Sequence, residues 1–243
     1  EGRVRFSGVS YHGPSRTGQG NMAEVLAAAA EDGRFDMMLL VYNFMNSDQG
    51  EQVLAACKAN NVGATIMKSA PGVLHWDSFD PAHMTEEQKD FAERYGLRTE
   101  DQLRFGSIQW VIQNPDAHTV CISLNDFDNI DRVVALSGTE LSQAEEEMLD
   151  RLALSVNSRY CRHGCVECAG ACPLAVPVSR IMRYAYYFGV QGREKHAMSR
   201  YARLGGSNGS ACLDCSAPCD GACPHGFQIR DQLSRVHSML TLA

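Results

Sequence analysis

The chain has 243 residues, and its 44% hydrophobic and 21% charged residues are typical of a folded protein with a sizeable core. No apolar run approaches the roughly 20 residues that cross a bilayer, so we expect no membrane span. The formal net charge is -7 and no basic cluster stands out along the sequence, which argues against a nucleic-acid partner.

Short apolar segments alternate with helix-like segments in the N-terminal part of the chain, a pattern typical of βα units around a parallel sheet. The predicted strands are 4–10, 37–42, 64–68 and 119–124. The predicted helices are 21–30, 49–60, 85–95, 99–113, 128–136 and 142–153. The first strand is expected to be buried, and Ser142 and Glu145 have the spacing of a capping box at the start of the last helix.

Four parallel strands with exposed edges are half of something larger, because a closed barrel needs about eight strands. We therefore expect a missing half, supplied by an upstream part of the same polypeptide, by a separate chain or by a second copy of this one. On this interpretation residues 1–156 form a half barrel and residues 157–243 form a second domain.

Eight of the ten cysteines form two groups near the C-terminus. The first group is Cys161, Cys165, Cys168 and Cys172, and the second is Cys212, Cys215, Cys219 and Cys223. Short gaps let a looping backbone wrap three thiolates around one cubane, while the fourth cysteine, which precedes a proline, is free to reach elsewhere. In two-cluster ferredoxins that fourth cysteine binds the other cluster. The sequence therefore predicts two [4Fe–4S] clusters.

Two other uses of these cysteines remain open. Zinc also takes four thiolates, although its sites usually come as two separated pairs, and closely packed disulfides are typical of small secreted proteins. Each group has one residue more than the commonest ferredoxin spacing, which a wider loop or a three-iron cluster would explain. The isolated Cys57 and Cys121 lie in apolar segments and are expected in the core.

Helix-like apolar spacing continues between and after the cysteine groups. The predicted helices are 178–188, 193–204 and 228–240. Residues 157–243 are therefore predicted to be a mainly α-helical, ferredoxin-like domain that binds both clusters.

Four motifs in the N-terminal part follow one another in a fixed order. They are Phe6-Ser7-Gly8-Val9-Ser10-Tyr11-His12, Val41-Tyr42-Asn43, Ile66-Met67-Lys68-Ser69-Ala70-Pro71 and Gln109-Trp110-Val111-Ile112-Gln113-Asn114-Pro115. Together they resemble landmarks of strands five to eight in the aldo/keto reductases. The cysteine-rich tail is similar to that of the aldo/keto reductase branch that ends in a ferredoxin-like module, so the resemblance covers nearly the whole chain.

The resemblance implies the C-terminal half of a (β/α)8 TIM barrel, with NAD(P)H lying across the C-terminal ends of the strands. The family's catalytic Asp, Tyr, Lys and His come from the first half of the barrel, so no catalytic residue is assigned in this chain. Ser10 matches the serine beside the carboxamide of the cofactor. Lys68, Ser123 and Asn125 fall at loop positions that face the cofactor.

Two functional hypotheses follow from these features. In the first, the protein is an iron–sulfur oxidoreductase of aldo/keto reductase type whose clusters relay electrons between a redox partner protein and the barrel site. In the second, it is an electron-transfer or assembly subunit whose barrel has lost NAD(P)-dependent carbonyl reduction. The second is favoured by Leu39, which replaces a family glutamine, and by Arg132-Val133, which replaces a Glu-Asn pair that holds the adenosine end of the cofactor.

Two further interpretations concern the role and the location of the clusters. Clusters that only hold the tail together would also account for the cysteines, because metal binding stabilises small domains. Exposed clusters imply a reducing setting, so a cytoplasmic location is predicted, with export after processing as the alternative.

Overall fold

The structure, a computed structural model, describes residues 2–14, 19–71, 82–124 and 126–241. The protein has an α/β fold in which helices make up about half of the chain. The chain divides into two compact units, Glu1–His12 with Met22–Ser155 and Gly13–Asn21 with Val156–Ala243. Within the described ranges, no helix is long and apolar enough to span a bilayer.

The first unit contains a four-stranded parallel sheet. Its strands are β1 (Gly8–Ser10), β2 (Met37–Val41), β3 (Gly63–Met67) and β4 (Thr119–Cys121), paired in the order β1-β2-β3-β4. Met38 lies opposite Ala64, and Ile66 lies opposite Val120. Because all the strands run the same way, their carboxyl ends meet at one edge of the sheet.

Helices connect and follow these strands, close to the predicted positions. They are α1 (Met22–Glu31), α2 (Asp48–Ala59), α3 (Glu86–Arg94), α4 (Glu100–Ile112), α5 (Phe127–Val134) and α6 (Gln143–Val156). The capping box predicted for α6 is confirmed, since the Glu145 carboxylate accepts the backbone N–H of Ser142 at 2.8 Å and the Glu145 N–H donates to the Ser142 hydroxyl at 3.4 Å. This reciprocal pair satisfies donors that the first helical turn leaves without partners.

One face of the sheet is covered by helices. Met38, Leu40 and Ile66 point to this face and are 0% exposed, as are Leu26 of α1 and Val53 of α2 that pack on the same core. Fully burying an aliphatic side chain of this size contributes about 1.5 to 3 kcal/mol, so this cluster contributes substantially to the stability of the first unit.

The opposite face of the sheet is more open over much of the described part of the unit, although Val41 and Met67 at its carboxyl end are buried. Met37 is 46% exposed, Thr119 and Cys121 are exposed, and Leu39 and Thr65 are half-buried. Parallel sheets are usually covered on both faces, so this face differs from the common arrangement.

Two sequence predictions about burial are wrong. Val4 and Phe6 were expected in a buried strand, but they are 76% and 71% exposed, and β1 begins only at Gly8. In the described sheet β1 is an edge strand that pairs with β2 alone, so the residues before it are not enclosed between strands. Cys121 was expected in the core but is exposed, because it lies on the open face of the other edge strand, whereas Cys57 is buried as predicted.

The second unit consists of helices and the cysteine-containing loops. Its α-helices are α7 (Val178–Gly189), α8 (Glu194–Ala202) and α9 (Ile229–Leu240). Ile181, Tyr201 and Leu233 are at most 1% exposed and pack together as its core. Cys212 and Cys219 belong to the same core at 8% and 7% exposure, so the cysteine loops are part of the packed interior.

Candidate metal centre

From their third cysteine onward, the two cysteine groups fold into nearly the same backbone shape. In each group a short 3-10 helix, Ala169–Ala171 or Asp220–Ala222, lies between the last two cysteines. The cysteines that follow these short helices have nearly equal backbone angles. They are φ -83° and ψ 112° at Cys172 and φ -81° and ψ 115° at Cys223. The second halves of the two loops therefore repeat one conformation.

The repeat continues through the segments that follow the Cys-Pro pairs. The backbone is left-handed at Ala175 (φ 50°) and at the equivalent Gly226 (φ 68°). Their N–H groups each donate to the carbonyl of the preceding cysteine at 3.2 Å, Ala175 to Cys172 and Gly226 to Cys223. After this turn the chain enters α7 or α9, so each loop is anchored to a buried helix.

The loops enclose two cavities, and each cavity takes cysteines from both groups. The cavity that we call the first is lined by Cys161, Cys165, Cys168 and Cys223. The second cavity is lined by Cys172, Cys212, Cys215 and Cys219. The last cysteine of each group thus lines the cavity of the other group. Two-cluster ferredoxins share their ligands in the same way.

The pKa values of the thiols also depend on cysteines from both groups. Burial, together with the charges of Cys165, Cys168 and Cys223, raises the pKa of Cys161 to about 12. Burial, together with the charges of Cys219 and Cys172, among others, raises the pKa of Cys212 to about 11. Without a metal these thiols hold their protons, and binding of iron would release them.

Backbone amides are turned toward two of the sulfurs. The N–H of Val176 donates to the Cys172 sulfur at 3.3 Å, and the N–H of Ala217 donates to the Cys215 sulfur at 3.5 Å. Ala217 reaches this position with a left-handed φ of 58°. Hydrogen bonds to the sulfurs are one of the means by which proteins set the potential of an iron–sulfur cluster.

Arg162 contributes a buried positive charge beside the first cavity. Only 7% of this residue is exposed, and it lines the cavity together with the four cysteines. One terminal nitrogen of its guanidinium donates to the carbonyls of Asn157 and Tyr160 at 2.7 and 2.8 Å, while the other contacts the Asn157 side chain. Its Nε is buried without a hydrogen-bond partner among the described residues.

The residues around the cavities fit an iron–sulfur cluster. A buried N–H group without a hydrogen-bond partner costs free energy. A cluster held by four thiolates would give the Nε of Arg162 a hydrogen-bond acceptor and would offset the positive charge of the guanidinium. All ten cysteines lie within the described residues and are free thiols. Within those same residues, no three or more His, Cys, Asp or Glu side chains are grouped as ligands of one metal ion. The fit to a cluster rests instead on the four cysteines that line each cavity and on the unpartnered Nε of Arg162.

The predicted NAD(P)H contacts lie at the carboxyl edge of the sheet. Ser10 is the last residue of β1, Lys68 follows β3 and Ser123 follows β4, and all of them are exposed. The Ser123 carbonyl accepts a hydrogen bond from Arg104 at 2.7 Å. Asn125, the remaining predicted contact, lies outside the described residues.

Lys68 has a conformation that the sequence did not indicate. Its backbone is left-handed, with φ 59°, which costs of order 1 kcal/mol for a non-glycine residue. The side-chain amide of Asn43, a residue that is 0% exposed, donates to the Lys68 carbonyl at 2.8 Å. The neighbouring Ser69 hydroxyl is buried without a hydrogen-bond partner among the described residues. Asn43 and Ser69 were not singled out as site residues, because each is a single polar residue at the end of an apolar strand.

Comparisons with protein-family models and with curated proteins gave no match to this chain. The resemblance to aldo/keto reductases therefore stays a prediction.

Proposed function

We propose that the second unit is a ferredoxin-like domain that binds two [4Fe–4S] clusters and relays electrons. The observation that carries this proposal is the exchange of Cys172 and Cys223 between the two cavities. Neither zinc sites nor disulfides require two cysteine loops to exchange their last cysteine, whereas a two-cluster ferredoxin does. A bound cluster of this kind accepts or releases one electron at a time.

The chain's own residues would hold and tune such a cluster. Four cysteines line each cavity, and the N–H groups of Val176 and Ala217 would stabilise the negative charge of the ligating sulfurs that they contact. At the first cavity the clamped guanidinium of Arg162 adds a fixed positive charge. The second cavity has Arg230 instead, and one terminal nitrogen of this residue donates to the Leu213 carbonyl at 3.3 Å.

For the first unit we propose the C-terminal half of an aldo/keto reductase-like TIM barrel. Three features support it: the order β1 to β4, the helices on one face of the sheet, and the open opposite face, which would line the inside of a barrel. The first half would come from elsewhere in the polypeptide, from another chain or from a second copy. Its catalytic set would complete the site at which Ser10, Lys68 and Ser123 lie.

The proposal makes the protein an iron–sulfur oxidoreductase of aldo/keto reductase type. Its first test is iron and acid-labile sulfide analysis of anaerobically purified protein, with electron paramagnetic resonance after dithionite reduction. We expect about eight irons and about eight sulfides per chain, with interacting reduced-cluster signals. Zinc without sulfide would contradict it.

A second candidate is an electron-transfer or assembly subunit without nicotinamide chemistry. Leu39, which stands where the family has a glutamine, is half-buried on the open face and offers no hydrogen bond to a nicotinamide. Titration of NADPH fluorescence against the full-length protein separates the two candidates. Micromolar binding supports the oxidoreductase, and its absence in cluster-loaded protein supports the subunit.

A further inference from the structure

Helix α8 and the capping residues at its two ends carry a row of basic side chains that the linear sequence does not display as a cluster. Arg193, His196, Arg200 and Arg203 are spaced three, four and three residues apart, which places them on one side of a helix. The three arginines are exposed and His196 is half-buried. We call these four residues the α8 stripe.

The charges of the α8 stripe lie close enough to act on one another. Partial desolvation lowers the pKa of His196, and the positive charges of Arg193, Arg200 and Arg203 lower it further. Residues 156–243 contain ten Lys and Arg but only five Asp and Glu, although the whole chain has a net charge of -7. The stripe therefore lies on the basic unit of an acidic protein.

A chain of contacts joins the α8 stripe to the first cavity. The ring of Tyr187 lies 5.7 Å from the ring of His196, and the guanidinium carbon of Arg193 lies 5.6 Å from the Tyr187 ring. The Arg183 guanidinium carbon lies 6.0 Å from the same Tyr187 ring, and the Arg183 guanidinium contacts the ring of His163 at 2.8 Å. His163 lies between the first two cysteines of its group, and Tyr160 and Cys161 also interact electrostatically with Arg183.

We propose that the α8 stripe is the docking site for a small acidic protein that carries electrons one at a time. This inference rests on the proposed function, because it needs a cluster in the first cavity. In each transfer the reduced carrier would lose one electron and the first cluster would gain it, or the reverse, with no bond made or broken. The Tyr187 and Arg183 contacts place the docking surface next to that cavity.

The chemistry of the stripe favours an acidic protein over nucleic acid. Complementary charge steers weak, short-lived redox complexes, which bury little surface and need only a small charged patch. Nucleic-acid binding at physiological salt usually neutralises six or more phosphates, whereas the stripe offers three arginines and one histidine.

The test uses the full-length, cluster-loaded protein and an acidic plant-type [2Fe–2S] ferredoxin as the probe. Its affinity is measured by calorimetry at low and high ionic strength for the wild type and for the double variant R200E/R203E. The matched control is K195E/R235E, which makes the same change in net charge at exposed residues that lie off the stripe. If R200E/R203E lost its iron, the neutral pair R200Q/R203Q would make the same comparison.

We expect R200E/R203E to lower the affinity for the ferredoxin about tenfold or more at low salt, and K195E/R235E to change it little. Equal losses in the two double variants, or no loss in either, would overturn the inference. So would binding of duplex DNA that is tighter than ferredoxin binding and depends on the stripe. Iron and sulfide are measured on the same samples, so a protein without clusters shows failure of the proposed function, whereas cluster-loaded protein that ignores the stripe shows failure of the docking inference alone.

Discussion

Cys172 closes the first cysteine group in the sequence, yet its side chain lines the second cavity together with Cys212. The reverse holds for Cys223, which lines the first cavity together with Cys161. Each cavity therefore depends on both cysteine loops. Helices α7 and α9, which follow Cys172 and Cys223, both contribute residues to the lining of both cavities. Substitution of Cys172 or Cys223 should therefore remove the cluster that the other group binds.

The first prediction concerns this exchange. We expect Cys172→Ser to remove the cluster bound by the second group and leave the first, so that iron falls from about eight to about four per chain. Cys223→Ser should give the same iron content but remove the other cluster. Iron analysis and the spectra of the single remaining cluster, which should differ between the two variants, check the result.

Cys121→Ser is the matched control, because Cys121 is an exposed free thiol on β4, outside both groups. Its iron content should equal that of the wild type. Cys165 lines the first cavity, so Cys165→Ser should remove the first cluster and Cys172→Ser the second. If Cys165→Ser and Cys172→Ser removed the same cluster, the exchange of ligands would be refuted.

The second prediction concerns the buried guanidinium of Arg162. A fixed positive charge and an N–H donor beside the first cavity favour the reduced, more negative cluster. Arg162→Leu should therefore make the potential of that cluster more negative by about 60 mV, which corresponds to a tenfold change in a one-electron equilibrium. Redox titration followed by electron paramagnetic resonance measures the shift.

The Arg162 effect should be confined to one cluster. The signal of the first cluster is identified as the one that Cys223→Ser removes, and the signal of the second cluster should keep its potential in Arg162→Leu. Arg235→Leu, a change at an exposed position of α9, serves as the control and should shift neither signal. Equal shifts of both signals would point to a general loosening of the domain instead.

Elements with a strong local signal could be predicted from the sequence. Helix α9 was predicted at 228–240 and spans Ile229–Leu240, because Ile229, Leu233 and Val236 recur at helical spacing and are all buried. The position of Cys172 beside the second group could also be anticipated. A cysteine that follows a three-residue gap and precedes a proline is a local sequence pattern of two-cluster ferredoxins. Such local patterns predict the structure because the tertiary contacts favour the same conformation.

Features that depend on the neighbours of a residue could not be predicted. Arg162 looks like an ordinary loop arginine until Asn157 and Tyr160 clamp its guanidinium beside the cavity. Cys121 looks like a core residue, but its burial depends on which face of the sheet the helices cover. The α8 stripe likewise appears only when the helix brings residues that are three and four positions apart onto one side.

The third prediction concerns Tyr201, which holds the loop before Cys212. This residue is 1% exposed, and its hydroxyl accepts the Gly209 N–H at 2.8 Å and lies 2.8 Å from Nδ1 of His237. Tyr201→Phe removes the hydrogen-bond partner of the Gly209 N–H and of Nδ1 of His237. It should lower the free energy of unfolding by about 1 to 3 kcal/mol. Anaerobic guanidinium unfolding followed by circular dichroism measures it.

Tyr184→Phe on α7 is the matched control, since Tyr184 is only half-buried and should cost less than about 0.5 kcal/mol. Tyr201→Phe should also lose the cluster of the second cavity faster than that of the first, because Gly209 begins the short helix Gly209–Cys212. A stability equal to that of the control would show that the hydroxyl is not needed.

The last prediction concerns the pH dependence of the metal-free protein. Burial raises the pKa of Cys161 from 9.0 to about 12, and Cys168 is raised to about the same value. Above about pH 9 the unfolded chain loses these protons while the folded chain keeps them, so the unfolded state binds fewer protons and stability falls as pH rises. The loss should be of order 1 kcal/mol per pH unit for the deeply buried Cys161 between about pH 9 and pH 11, and smaller for Cys168, because solvent screens this more exposed thiol.

Cluster-loaded protein should not show this fall, because its cysteines are already deprotonated as ligands. Melting temperatures of the metal-free and the loaded protein, measured by circular dichroism from about pH 7.5 to about pH 10.5, separate the two cases. The metal-free double variant C161S/C168S should have a flatter profile than the metal-free wild type, since serine does not ionise in this range. Parallel profiles for the loaded and metal-free proteins would mean that groups other than the buried thiols control the alkaline loss of stability.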